Sequence, residues 1–354
     1  MKAFEAGSRF RLLLEQMQAR VTKGNPSRMW VALSGGLDSM VLLHLCRQLG
    51  VSDKLGVLHV NYRLRGAESD GDADFVRKIS ESFGLECRIL TVDPLDHPPE
   101  GRGLQNWARD LRYRWFREQM LEGEWLALAH HADDLAENVL MRITRGAGMN
   151  HLLGMKEFEA YRWRPLLGVW RAELEEEADR QKIPHRVDSS NAKLIYSRNV
   201  IRHRILPELE RMYPGARENL LTLAGDAEAL TGYYRDQRQP WGPVLGADAL
   251  REQPAVLAQQ TIGDFLGHHG VTGPVSRRHR VDLATALMTD CTLVLALDER
   301  HRAVVRAGEL WVEASTVRRS ARWSQYAGAV GDNAPKMSLA PMDVYQTVMP
   351  LDAD

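Results

Sequence analysis

The stretch Ser34-Gly35-Gly36-Leu37-Asp38-Ser39 lies between an apolar run, Met29–Leu33, and a helix-length segment, Asp38–Leu49. Strand, glycine turn and helix in that order form an anion cradle. Gly35 and Gly36 let the backbone turn sharply and approach a ligand closely. Their N–H groups, with a helix N-terminus behind them, favour negative charge. Ser34 and Ser39 add hydroxyl donors. No lysine stands in the loop, where Leu37 and Met40 occupy the neighbourhood. A phosphate loop without its own cation suits a pyrophosphate whose charge is met by a metal, and Asp38 is the carboxylate placed to hold magnesium. The plainer alternative is a Ser/Gly turn in which Asp38 or Ser39 only caps the helix.

Working outward, three more apolar runs, Leu55–Val60, Cys87–Val92 and Trp125–Ala129, are nearly continuous rather than alternating. Parallel strands buried on both faces have that pattern. Helix-length segments at Asp72–Phe83 and Leu104–Leu121 separate them. The alternation predicts an α/β fold, a doubly wound, mostly parallel, Rossmann-like sheet. Right-handed crossovers then bring Ser34, His59 and His130 to one edge. Arg171–Gln181 is a charged helix of the same domain, and Asp188–Asn191 a polar loop. Pro214-Gly215 is a natural break. The expected organisation is a catalytic domain over 1–215, a smaller, mostly helical domain over 216–316, and a poorly ordered tail over 317–354. In the second domain Asn219–Tyr234, Gln253–Gly267 and Arg280–Met288 are expected to be helical, with short strands at Cys291–Leu297 and Leu310–Val312.

The 354 residues fit two domains, and a formal net charge of −1 gives no global field to attract nucleic acid, so any RNA contact must be local. Cys46, Cys87 and Cys291 form no CxxC pair, which argues against zinc, iron–sulfur clusters and disulfides and fits a cytoplasmic location. The N-terminal segment does not read as a signal peptide. No apolar run approaches the roughly 18 residues of a membrane span, so no membrane partner is expected.

A second signal, His130-His131-Ala132-Asp133-Asp134-Leu135-Ala136-Glu137, follows the fourth strand. Asp134 and Glu137 are three apart and share a helix face. Asp133 or Asp134 could bind magnesium or position a substrate amine. The alternative is a capping box with Asp134 as N-cap and Glu137 at the third helical position.

The hexapeptide Ser34–Ser39 resembles the SGGxDS signature of the PP-loop, or N-type, ATP pyrophosphatases. That resemblance implies cleavage of ATP between its α and β phosphates and adenylation of an acceptor. The run His130–Glu137, with Arg142, Arg145-Gly146-Ala147-Gly148 and Gly154-Met155, is similar to the tRNA(Ile)-lysidine synthetase branch of that class. Further matches are His59-Val60-Asn61, Leu64-Arg65, Ala108-Arg109, Arg112-Tyr113, Arg164-Pro165-Leu166-Leu167, Asp188, Ser190-Asn191, Arg198-Asn199, Ile201-Arg202 and Leu206-Pro207. Ala147 departs from a serine common in that branch, and long members have a further C-terminal domain that the matched region does not include.

The resemblance implies ATP as co-substrate, Mg2+, free L-lysine, and tRNA(Ile) with a CAU anticodon. Lysine would be joined to carbon-2 of the wobble cytidine through an adenylated intermediate. It implies nucleotide contacts from Ser34, Gly35, Gly36, Leu37, Asp38, Ser39, His59 and Asn61, and magnesium on Asp38 and Asp134. His130, Asp134 and Glu137 fall to the lysine and metal side, and Arg198 or Arg202 to phosphate. Arg277, Arg278 and Arg280 are expected to grip tRNA from the second domain. The oligomeric state stays open. A tRNA thiolase of the same class and a silent ATP- or RNA-binding protein are the alternatives. The first usually needs cysteine pairs, and the second would be expected to lose the acidic residues.

Overall fold

A computed structural model of the chain describes residues 2–93, 103–145, 152, 154–186, 197–236, 241–271, 275–298 and 300–314. The expected loop at Asp188–Asn191, Gly146–Gly148 and the tail from residue 317 lie outside the described residues. Contacts divide the chain into units 1–240 and 241–354.

The first unit begins with α1 (Lys2–Gly24), β1 (Met29–Ala32), α2 (Leu37–Arg47), β2 (Leu55–Asn61), α3 (Ala67–Ser82) and β3 (Glu86–Thr91). It continues with α4 (Leu104–Glu118), β4 (Trp125–Ala127), α5 (Ala132–Thr144), β5 (Phe158–Glu159), β6 (Arg162–Trp163) and α6 (Arg171–Gln181). The strands form one sheet in the order β3-β2-β1-β4-β6-β5. All neighbours are parallel except β5 and β6. Val31 pairs with Val57 on one side and Ala127 on the other. The expected doubly wound sheet is therefore present. The chain leaves β1 toward β2 and β3, then returns to place β4 on the other flank of β1. Such a reversal opens a crevice at the carboxyl ends of β1 and β4, where open α/β sheets bind ligands.

Alternation along β1 fills both faces. Met29 and Val31 join a core with Phe10, Met17, Leu42, Trp163 and Leu174, while Trp30 joins Leu58, Phe116, Met120, Leu126 and Leu128 on the other face. Trp30 is buried, donates from Nε1 to Glu124 Oε2 at 2.8 Å, and lies beneath the Arg28 and Arg88 guanidiniums at 4.4 and 4.6 Å. Its strand neighbour is Gly56, where a Cβ would stand 2.5 Å from the indole ring.

Past the described gap, α7 (Ser197–Val200), a π-helical turn (Ile201–Ile205) and α8 (Leu206–Met212) run on consecutively. Then α9 (Ala216–Asp236) packs Ala224 against Leu135, Val139 and Leu167. The compact unit accordingly runs through Pro214-Gly215 and ends at residue 240.

The second unit contains β7 (Leu245–Gly246), α10 (Asp248–Arg251), α11 (Ala255–His268), α12 (Arg277–Met288), β8 (Leu293–Ala296), β9 (His301–Arg306) and β10 (Glu309–Ala314). The strands form an antiparallel sheet, β7-β10-β9-β8. Ile262, Phe265, Leu283 and Leu287 pack against Ala303, Val305 and Leu310. Arg280 corrects one expectation: it is only 6% exposed and packs beside Gly263, so it belongs to this interior, whereas Arg278 is on the surface. Among the described residues, no helix is long and apolar enough to cross a membrane.

Candidate active site

The glycine loop leaves β1 with Gly35 at φ +87°, a conformation that favours glycine. The Gly35 carbonyl accepts the Arg186 N–H at 2.9 Å, which ties the loop to the chain beyond α6. Inside the loop the Ser34 and Ser39 hydroxyls are 3.0 Å apart, Gly36 N–H donates to Ser34 Oγ, and Ser39 Oγ donates to the Gly36 carbonyl. Gly36 is the N-cap of α2, and no side chain caps it. Asp38 and Ser39 lie inside the first turn, so the capping alternative does not describe them.

Asp38 Oδ2 accepts from Arg171 Nη1 at 2.9 Å, and His131 Nε2 is 3.8 Å away. Its Oδ1 is buried and has no partner. Burial raises the Asp38 pKa, and the positive charge of His131 and Arg171 only partly offsets it. A buried carboxylate oxygen with nothing on it is costly unless a cation or donor meets it during function.

Before the loop lies a cleft of about 460 Å³ lined by Ser34, Asp38, His59, Arg112, Tyr113 and His130, among others. His59 donates from Nδ1 to the Leu33 carbonyl at 2.7 Å, which leaves buried Nε2 as a bare acceptor. Burial lowers its pKa. Asn61 also lines the cleft, but its amide is engaged: Nδ2 donates to Asp70 at 2.8 Å, and Oδ1 accepts the Arg63 N–H at 2.9 Å. His130 has an unpartnered Nδ1, and burial pushes its pKa down to about 4, so the ring is neutral.

The start of α5 departs from the expected capping register. His131 is the N-cap, and its backbone N–H reaches Asp134 Oδ2 at 3.2 Å; the box is therefore one turn earlier than Asp134 and Glu137 suggested. The buried His131 ring stands between carboxylates, with Nε2 3.5 Å from Asp134 Oδ2 and Nδ1 3.5 Å from Asp133 Oδ2. Burial opposes its protonation, but the surrounding carboxylates outweigh burial and raise its pKa.

Glu137 has no exposed surface. Arg198 Nε donates to one of its oxygens at 2.7 Å and Arg202 Nε to the other. The same two guanidiniums reach Asp134 Oδ1 through Nη2, at 2.8 and 2.9 Å. Two carboxylates and two arginines thus form one cross-linked quartet. Such forked, charge-assisted bonds fix geometry as well as charge. Glu137 serves the arginines here, with both oxygens occupied. Asp133 is a brace: Oδ2 accepts the backbone N–H of Arg171 at 2.8 Å and Oδ1 accepts Arg217 Nη1 at 2.9 Å. Burial pushes its pKa up, yet His131, Arg171 and Arg217 bring it down to about 2.

The structure therefore brings Ser34–Ser39, His59, Asn61, His130, Asp134, Glu137, Arg198 and Arg202 to one edge. Sequence reasoning missed Arg171, His131 and Arg217. Among the described residues no group of three or more His, Cys, Asp or Glu could hold a metal ion. Magnesium does not require one, since it commonly takes one or two carboxylates with substrate phosphates. The open Asp38 Oδ1 fits that donor set, whereas both Asp134 oxygens are engaged, Oδ1 by Arg198 and Arg202 and Oδ2 by the His131 backbone N–H.

A family model described as a PP-loop domain matches residues 11–209. The tRNA(Ile)-lysidine synthase of Parabacteroides distasonis is 38% identical over 292 residues, 80% of this chain and 65% of that protein. The protein of that name from Porphyromonas gingivalis strain W83 is 36% identical over 236 residues, 64% of this chain and 51% of its own length. That of Solibacter usitatus is 40% identical over 214 residues, covering 59% and 47% respectively. The chain spans about half to two-thirds of the length of these curated relatives.

Proposed function

The chain belongs to the PP-loop family, and on that premise we propose that it joins free lysine to carbon-2 of the wobble cytidine of tRNA(Ile) with a CAU anticodon, consuming ATP and releasing AMP and pyrophosphate. The relatives named tRNA(Ile)-lysidine synthase support this reading. The observation that carries it is the buried, unpartnered Asp38 Oδ1 behind a phosphate loop that opens on a cleft with two neutral histidines.

In this reading the loop N–H groups and the Ser34 and Ser39 hydroxyls hold the ATP phosphates. The ring carbonyl oxygen of cytidine attacks the α phosphorus, and the bond to pyrophosphate breaks. Adenylation makes carbon-2 electrophilic. The lysine ε-amine attacks there and AMP leaves with the former carbonyl oxygen. The attacking amine must be unprotonated and must lose a further proton on the way, so a base is needed. His130, with an unpartnered Nδ1 and a ring that burial holds neutral, can accept a hydrogen bond from the amine, and the negative charge of Asp134 acts on that ring to guide the proton. Asp38 would hold magnesium through its open oxygen, with Asp134 joining only if Oδ2 gives up the His131 backbone N–H; when bound, the metal would neutralise charge on the leaving pyrophosphate. Glu137 orients Arg198 and Arg202. Each guanidinium has five N–H donors, so contact with the two carboxylates still leaves a face to present to phosphate. The first unit holds this chemistry, and the second contributes tRNA contacts through Arg277 and Arg278.

A thiolase is not favoured: Cys46 is fully buried with its pKa pushed up to about 12, Cys87 is half-buried and Cys291 exposed. Incubation of tRNA(Ile) with protein, ATP and labelled lysine, followed by mass analysis of nucleosides, tests the proposal. Lysidine should appear, and Asp38→Ala should abolish AMP formation at an unchanged melting temperature. Sulfur incorporation, or ATP binding without turnover, would refute it.

A further inference from the structure

Asp38 belongs to a loop with no cation of its own, yet a guanidinium is bonded to it. Arg171, the first residue of α6, donates from Nη1 to Asp38 Oδ2 at 2.9 Å across 133 positions of sequence. Its side chain is 34% exposed, so it reaches the site from the solvent side rather than from the core. The backbone of the same residue is anchored independently, through its N–H on Asp133 Oδ2. Packing of α6 does not depend on the ion pair, because Leu174 and Ala178 are buried in the core beside Leu42 and Val169. The Arg171 side chain is thus placed at the loop without being needed to hold the helix there. Asp38 meanwhile keeps its second oxygen bare.

Resting on the ATP-cleaving reading above, we propose that Arg171 is a nucleotide-binding residue that supplies the positive charge missing from the Ser34–Ser39 loop, parked on Asp38 in the empty protein and transferred to the β- and γ-phosphate oxygens when ATP binds. The exchange is chemically even-handed. Incoming cation charge satisfies Asp38, and the displaced guanidinium meets the anion that arrived with it. Arginine suits this transfer because it stays charged throughout and its planar fork matches phosphate oxygens. The sequence gives little warning, because an arginine opening a charged helix reads as a solvated face.

The test is binding of ATP and AMP, each with magnesium, by calorimetry on the parent, Arg171→Ala and Arg171→Lys, together with thermal melting. AMP lacks the phosphates assigned to Arg171. Loss of one charge-assisted contact should weaken ATP about 10- to 100-fold in Arg171→Ala. AMP affinity should stay within about twofold, because the side chain never reaches it. The alanine variant keeps the backbone N–H on Asp133 but leaves Asp38 Oδ2 without its guanidinium, so a small fall in melting temperature should accompany the selective loss of ATP affinity. Arg171→Lys should recover part of the ATP affinity. Equal weakening of ATP and AMP, or a lowered melting temperature with unchanged ATP affinity, would overturn the assignment and leave Arg171 as a strut between α2 and α6. A parent that binds neither nucleotide would overturn the ATP reading itself, and this inference with it.

Discussion

Replacing Glu137 with glutamine tests whether the quartet is held by charge. The side chain has no exposed surface, and each oxygen takes an arginine Nε. Glutamine keeps the volume, so no cavity term enters. It removes one of two negative charges facing two guanidiniums and presents an N–H₂ to an N–H donor. Removing one partner of a fully buried pair costs about 3–5 kcal/mol. Arg198 and Arg202 are 37% and 25% exposed, so solvent screens part of the excess charge. Glutamine's remaining carbonyl oxygen can still accept one bond. The expected loss is therefore about 2 kcal/mol, below the buried-pair figure for these two reasons. In a unit of this size that corresponds to a fall of about 4–8 °C in melting temperature. Calorimetry would read the stability, and AMP release with tRNA and lysine would read turnover, which should fall as Arg198 and Arg202 lose their aim. An unchanged melting temperature with turnover lost only at low lysine would refute the reasoning. Glu137 would then act on the amine, as its sequence position suggested, rather than through the arginines.

Three other outcomes follow from the same structure. Asp133 has a pKa depressed from 3.8 to about 2, so its contribution to stability is present above pH 4 and is lost as pH falls toward 2; Asp133→Asn should flatten that limb of an acid-denaturation curve. The pair Arg277→Ala/Arg278→Ala should weaken tRNA binding and reduce the slope of log K against log salt by up to about 1.8, whereas buried Arg280→Ala should lower stability; a double variant with an unchanged salt slope would remove these arginines from the interface. Gly56→Ala should destabilise by about 1–3 kcal/mol in urea titration, because its Cβ would meet the Trp30 ring at 2.5 Å and the ring is held by Glu124 and two arginines.

How much of this was legible in the sequence depends on the kind of signal. Strands β1 to β4 were found within a residue or two because apolar residues dominate each short run, even where His59 or Arg88 interrupts it. Helix α6 was bounded correctly: Lys182, in a left-handed conformation, ends it, and Pro184 follows two residues later. Strand β9 escaped notice because His301, Arg302 and Arg306 interrupt its apolar pattern, and only pairing with β8 and β10 reveals it. The extent of the first unit was hidden for a related reason: α9 meets α5 through the small residue Ala224, which does not advertise a packed face. At the site, the loop and the acidic run were visible as local patterns. The capping register was not, since histidine is an uncommon N-cap. Arg171 and Arg217 find their partners 133 and 84 positions away, and no local pattern can show that.

The π-helical turn at Ile201–Ile205 has a consequence for what kinds of mutation this segment can absorb. A π turn holds one more residue than an α turn, in the manner of a single-residue insertion into an older helix. Arg202 lies within it and Arg198 just before it. Deleting one residue of the turn would let it close into a regular α turn, and because a π turn and an α turn each make one revolution, the segments on either side would keep nearly their present rotation. What would change is the local path of the backbone that carries Arg202. The segment can therefore lose the extra residue without turning α8, but not without disturbing the arginine that grips Asp134 and Glu137.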